Sequence, residues 1–265
     1  MLQRVSDFKG SAIHATDGDI GEVANLLFDD ESWAIRYLVV DTGKWLPGRK
    51  VLISPISIDA VRKLDGIDLS LTREQIENSP DVDTAKPVSR QYETEYLGYY
   101  GYPYYWYGAG LWGASQYPEI RPSIPVSGYP DRASGQVPGA ATGTARAKPE
   151  GDSHLRSVSE VLGYYIEATD GDIGHVDDFL VDDKDWAIRY VVVDTGNWWP
   201  GKKVVVSPDW IERVSWPETK VHVNVLRQNI KSAPEYDPSA PIDRDYENRL
   251  YDFYGSPKYW QAPRS

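Results

Sequence analysis

The 265-residue chain has no cysteine, which excludes a disulfide framework and any metal held by thiolates. No apolar run approaches the roughly 18–20 residues that a membrane-crossing helix requires. Cations are short as well: 28 Lys and Arg stand against 40 Asp and Glu, for a net charge of −12 and a pI near 4.8. Binding to phosphate backbones takes clustered Lys and Arg, so direct nucleic-acid binding is argued against, and a basic protein partner fits better. Histidines number four and are dispersed. No Ser-His-Asp or paired-carboxylate spacing recurs, so no catalytic residue is assigned and the chain is expected to be non-enzymatic. Asp17-Gly18-Asp19 invites a calcium loop, but that loop needs Gly at its sixth place and an acid at its twelfth. Glu22 and Phe28 stand there. The expectation is a hairpin turn, with neither metal nor cofactor.

What the chain does have is a repeat. The stretch from Trp33 to Gly43 returns from Trp186 to Gly196, an offset of 153, and about two thirds of the positions between Ile13 and Pro55 are identical to their counterparts. The repeated core is β-branched and aromatic, opens after acidic turn residues and closes on Thr-Gly, which reads as a strand. Strict alternation puts Trp33, Ile35, Tyr37 and Val39 on one face and Ala34, Leu38 and Val40 on the other. Both faces are apolar, so this strand belongs at the centre of a sandwich or small barrel. The division that follows is a first repeat over 1–106, a linker rich in Gly, Pro and Ala over 107–153, and a second repeat over 154–260. Residues 131–153 read as a flexible tether. Because the repeat already starts near Leu2, the fold is expected to begin at the initiator Met without a signal peptide, in a reducing cytoplasmic setting.

Within each repeat, Asp-Gly at 17–18 and 170–171 marks a hairpin, and Gly18, Gly21, Gly171 and Gly174 are expected to include positive φ. His14 and Glu22 exchange types in the second copy, as Glu167 and His175. Symmetry about Gly18 predicts a cross-strand pair in each hairpin. Further strands are expected near 50–55, 57–63 and 66–71. Thr72 and Gln75 then form a capping box for a short helix. The segment after it, rich in Tyr and Trp, reads as an irregular tail.

The ordered set Ala15 to Val23, Ile35 to Asp41 and Ser54-Pro55, with its copy Ala168 to Val176, Ile188 to Asp194 and Ser207-Pro208, resembles the PRC-barrel family. That family includes the cytoplasmic domain of the photosynthetic reaction-centre H subunit and the C-terminal domain of the ribosome-maturation factor. The resemblance implies a mainly β protein of two small barrels of about six strands each, each with a short helix and the irregular aromatic tail. It implies a protein-interaction module without catalysis, so the chain is expected as an adaptor or scaffold, in a stress response or a membrane electron-transfer complex. With the acidic charge and the lack of a membrane-length apolar run, the partner is expected to be basic or membrane-associated and the chain not to insert. Duplicated modules tend to retain the isologous contact of a homodimer, so the repeats are expected as separate barrels forming an intramolecular pseudo-dimer.

Candidate sites are of two kinds. Trp45, Trp198, Trp199, Tyr105, Trp106, Tyr259 and Trp260 are candidates for an interaction surface, since Tyr and Trp supply hot spots. Arg36 and Arg189, mid-strand among apolar neighbours, need carboxylate partners because an unpaired buried charge is costly; Asp29, Asp41 and their copies Asp182 and Asp194 are the candidates. A different reading makes the chain a small-ligand or metal sensor, with its site between the barrels and lined by Trp45, Trp198 and Trp199.

Overall fold

Asp-Gly turns, a β-branched central strand and helix caps recur in the same order in each repeat, and they produce the same elements twice. The computed structural model describes residues 1–62, 65–82, 88–120, 154–196 and 202–261. The first repeat runs β1 (Leu2–Arg4), α1 (Val5–Phe8), β2 (Ala12–Ala15), β3 (Gly18–Asp29), β4 (Ala34–Asp41), β5 (Lys50–Ile53), β6 (Ile58–Arg62), β7 (Gly66–Leu69), α2 (Arg73–Glu77) and α3 (Arg90–Tyr100). The second runs β8 (Leu155–Ser157), α4 (Val158–Val161), β9 (Tyr165–Ala168), β10 (Gly171–Asp182), β11 (Ile188–Asp194), β12 (Lys203–Val206), β13 (Ile211–Ser215), β14 (Lys220–Val223), α5 (Arg227–Ser232) and α6 (Arg244–Tyr254). Strand accounts for 39% and helix for 22%, so the chain is mainly β. The strand orders are β5-β4-β3-β2-β7-β6 and β12-β11-β10-β9-β14-β13. All neighbours are antiparallel except β2–β7 and β9–β14.

Two expectations are corrected by this topology. Among the described residues no ladder joins β5 to β6 or β12 to β13, so neither path closes into the barrel that was expected. Nor are the repeats separate. Each sheet has a seventh strand, and it comes from the other repeat: β1 pairs with β10, and β8 pairs with β3. The exchange is symmetric, which does fit an isologous pseudo-dimer. One hydrophobic core holds residues of both repeats, from Val5 and Phe28 to Phe179 and Tyr251.

β4 is buried from Ala34 to Val40, as its composition requires, but it does not alternate strictly. Leu27 faces Tyr37 and Phe28 faces Ile35, which leaves Arg36 as an extra residue in a bulge; Arg189 is the extra residue in the second copy. The bulge moves Ile35 to the side of Leu38 and Val40, in the shared core. Tyr37 and Val39 pack on the opposite side with Tyr96 and Leu97 of α3. Trp33 precedes the strand altogether, at a φ of 52°.

A second bulge sits in the hairpin. Ile13 pairs with Gly21 while His14 pairs with Asp19, so Ile20 is the extra residue. The count symmetric about Gly18 therefore fails, and the expected pairs His14–Glu22 and Glu167–His175 do not form. Instead His14 Nδ1 lies 2.7 Å from Asp19 Oδ1 and Nε2 lies 2.7 Å from the Asp65 carbonyl oxygen. Glu167 accepts from Lys220 Nζ at 3.0 Å. The four hairpin glycines all have positive φ, from 131° at Gly171 to 146° at Gly21 and Gly174. Gly21 is the most constrained, because a Cβ there would stand 1.9 Å from the Asp41 carbonyl oxygen.

The Thr72–Gln75 capping box forms at α2, whereas Leu226 gives α5 no side-chain cap. The expected irregular tails are corrected, since each begins with an 11-residue helix. Ser89 and Asp243 cap their N-termini through the amides of Tyr92 and Tyr246, and Gly101 and Gly255 end them in the left-handed conformation. These signals lie in the sequence, but the density of aromatics masks them. α3 also closes the outer edge of β5: the Tyr96 hydroxyl donates to the Leu52 carbonyl at 2.9 Å and accepts from the Ser54 amide at 3.1 Å. Beyond α3, residues 107–120 pack on the fold, with Trp112 buried and its Nε1 donating to the Asp185 carbonyl at 2.8 Å. The tether expected over 131–153 lies outside the described residues.

Two outcomes follow. Gly21→Ala is expected to lose about 2–4 kcal/mol, the sum of strain and overpacking. Gly18→Ala meets only the flexible Arg73 side chain and should lose about 1 kcal/mol; urea unfolding ranks the two. The contacts to Asp19 and to the Asp65 carbonyl raise the His14 pKa above 6.5. Its stabilising contribution is then complete below pH 6.5 and fades as pH rises through the folded value. A Tm series across that range should show this fall, and His14→Gln should remove it.

Candidate functional site

A dense group of ionisable side chains lies where His154, just before β8, meets Glu93 of α3. Glu93, on the inward face of α3, is fully buried. Its Oε1 accepts from the Tyr37 hydroxyl at 3.1 Å and from the Tyr105 hydroxyl at 2.6 Å. Its Oε2 lies 3.0 Å from His154 Nε2 and 3.3 Å from Arg90 Nη1. The Tyr105 hydroxyl is also 2.8 Å from His154 Nε2. Bringing a carboxylate here without such partners would cost several kcal/mol, and the cluster supplies them from four different segments. Burial first, and then the Glu93 charge, push both phenols far above the ordinary tyrosine value. They are held as neutral donors.

Arg36 covers this group. Its guanidinium stacks 3.8 Å above the Tyr105 ring and 4.8 Å from Trp112. It donates to the Leu111 carbonyl at 2.7 Å and to Ser32 Oγ at 2.9 Å, with Asp29 Oδ2 at 3.7 Å. Burial lowers its pKa, against the opposing pull of Tyr105 and Asp29. Of the proposed carboxylate partners, Asp29 is therefore the one Arg36 meets. Asp41 is exposed and caps the Gly43 amide instead, as Asp194 caps that of Gly196. Arg189 lies 3.9 Å from the expected Asp182 and pairs more closely with Asp185, which was not foreseen.

The second repeat rebuilds the cluster. Glu247 Oε1 accepts from the Tyr190 and Tyr259 hydroxyls, each at 2.8 Å, and Oε2 lies 2.9 Å from Arg244 Nη1. Arg189 stacks 4.3 Å over Tyr259. The position equivalent to His154 is Met1, so the histidine belongs to the first cluster alone.

The aromatic candidates separate accordingly. Tyr105 is buried inside the cluster and is corrected from the expected surface role; Tyr259 does the same work, half-buried. Trp106 and Trp260 are half-buried under Arg90 and Arg244, each 4.2 Å away. Trp45 is half-buried beside Arg73, at 4.8 Å. Trp198 and Trp199 lie outside the described residues.

Carboxylate, imidazole and phenol in mutual contact are the components of a proton relay, and Glu93, Tyr105 and His154 are all buried. Two clefts open elsewhere. One lies over Pro47–Lys50 with Asp81 and Val82, and the other lies between Ile58–Val61, Tyr117–Pro118 and Asp183, Lys184 and Trp186. The second is at the junction of the repeats but holds about 240 Å³, below the roughly 300–1,000 Å³ of small-molecule sites. Trp45 lines neither. Among the described residues no three acidic or histidine side chains are arranged to hold a metal ion, and no helix is long and apolar enough to cross a membrane.

A family model described as PRC-barrel domain matches residues 2–67 and 154–230, more than half of the chain. No curated protein matches it. Glu93 and Glu247 fall outside the matched segments, so each cluster fastens a C-terminal helix onto a matched domain.

Glu93→Ala is expected to cost about 3–5 kcal/mol, because it strands Arg90, His154 and two phenols. Tyr105→Phe, which removes one donor and keeps the ring, should cost about 1–3 kcal/mol. Glu247→Ala should cost less than Glu93→Ala, since no histidine depends on it. Denaturant unfolding of the three variants checks the order.

Proposed function

Because the chain belongs to the PRC-barrel family, through two copies of its domain, we propose that it works as a non-enzymatic adaptor or scaffold. The observation that carries this reading is how its chemistry is distributed. The groups suited to proton transfer are enclosed and already bonded to one another, whereas large apolar side chains remain outside at Tyr107 (54% exposed), Tyr117 (42%) and Ile120 (57%). All three belong to the segment that leaves α3 and packs across the junction of the repeats. Apolar residues on an ordered segment beside a cleft form a contact surface, and Tyr is prominent among interface anchors.

The net charge of −12 favours a protein partner with a basic face, and charge complementarity speeds encounter and suppresses wrong partners. A membrane-associated assembly of the electron-transfer kind, or one formed under stress, fits a partner of that description. The full chain as bait in native lysate, beside the variant Tyr107→Ser/Tyr117→Ser, tests the reading at about 50 and 500 mM salt. It requires proteins that the parent retains at low salt and that are lost both from the variant and at high salt. Identical retention by parent and variant counts against it.

A further inference from the structure

The strand pairings that join the two repeats are made twice. β1 lies on β10 with Leu2 opposite Asp182, Gln3 opposite Val181 and Arg4 opposite Leu180. β8 lies on β3 with Leu155 opposite Asp29, Arg156 opposite Phe28 and Ser157 opposite Leu27, the same three steps displaced by 153. The short helix after each arm is held alike: the Ser6 amide and hydroxyl donate to Asp178, and those of Ser159 donate to Asn25. Ile35 donates to the Trp186 carbonyl and Ile188 to the Trp33 carbonyl. Each repeat therefore offers one arm and one seat for an arm. Nothing in these contacts requires that an arm and its seat share a chain.

We propose that the two arm seats, β3 with Trp33 and β10 with Trp186, are a docking surface for a second copy of this chain, which exchanges arms in trans. Each seat also offers a carboxylate to the arm it holds. Arg156 Nε lies 2.8 Å from Asp30 Oδ2, while Gln3 at the matching place donates to Asp183 at 3.0 Å. In the structure the second repeat's arm takes the first repeat's seat, and the reverse; an exchange between two chains keeps that pairing. A two-chain assembly makes the same contacts per chain as the closed single chain. The balance then depends on concentration, against an effective concentration of the tethered arm on the order of 1 mM. The assembly is a minor species at micromolar concentration and a major one where chains gather near that value.

The absence of native cysteine makes the test free of background. Leu27→Cys and Ser157→Cys face each other across β3 and β8, at a spacing that cross-strand disulfides tolerate. Placed on separate full-length copies and mixed, they meet only if an arm crosses between chains. The proposal expects disulfides between unlike variants in clear excess over the statistical half, rising steeply from about 10 µM to about 1 mM protein. A statistical mixture, or no cross-link near 1 mM, overturns it. The double variant on one chain should cross-link internally at low concentration, which reports that fold and geometry survive. Should it not, Arg4→Cys with Leu180→Cys replaces the pair, under the same two outcomes.

Discussion

Ile35 donates its amide to the Trp186 carbonyl at 2.8 Å, and Ile188 donates to the Trp33 carbonyl at 2.7 Å. Both tryptophans present those carbonyls from the left-handed region, at φ of 52° and 59°. A bulky residue held there costs about 1–2 kcal/mol, so the contact across the repeats must more than offset it twice. The acidic turns set the geometry. Asp29 Oδ1 accepts the amides of Glu31 and Ser32, and the Trp33 amide returns to the Asp29 carbonyl. Around this pair lie Ala34 bridged to Ala187, Phe28 against Phe179, Phe8 against Trp186, and the exchanged arms on either side. An arm of three residues would be a marginal strand alone. Seated on the other repeat, with its helix fastened to Asn25 or Asp178, it extends one core through both halves.

The buried Glu–Tyr–Arg clusters follow from the same constraint. Once β4 and β11 are covered on one side by the shared core, their other faces need covering too, and α3 and α6 do this. Tyr37 and Tyr190 bring polar hydroxyls into those faces, and Glu93 and Glu247 satisfy them. In the first repeat His154, just before the arm, joins the cluster, so the group that anchors α3 also holds the start of the arm. The bulge that carries Arg36 aims its guanidinium at the same junction.

Strand positions within each repeat were legible because local signals set them: the Asp-Gly turns, the β-branched central strand and the Thr72–Gln75 box. What stayed hidden depends on partners distant in sequence. Nothing local tells Leu2–Arg4 that its ladder is with β10 and not with its own repeat. A bulge adds one residue without changing composition, so the faces of Ile35 and the hairpin pairs of His14 and Glu167 were misassigned. Arg36 was rightly seen as needing a carboxylate, and Asp29 was among those named. Glu93 was passed over because a glutamate in an aromatic stretch reads as solvent-facing, although its spacing after Ser89 puts it in the first turn of a helix. Of the aromatics proposed as surface, Tyr105 and Trp106 cover that glutamate and its arginine, and Tyr259 and Trp260 do the same at Glu247.

If the exchanged arms and the tryptophan carbonyls make one core of two repeats, the chain must unfold as one unit. Scanning calorimetry measures this by comparing the calorimetric enthalpy with the van't Hoff enthalpy. The account predicts a single transition with a ratio near one. Two resolved transitions, or one transition with a ratio near two, would mean that the repeats melt independently and that the exchange does not couple them.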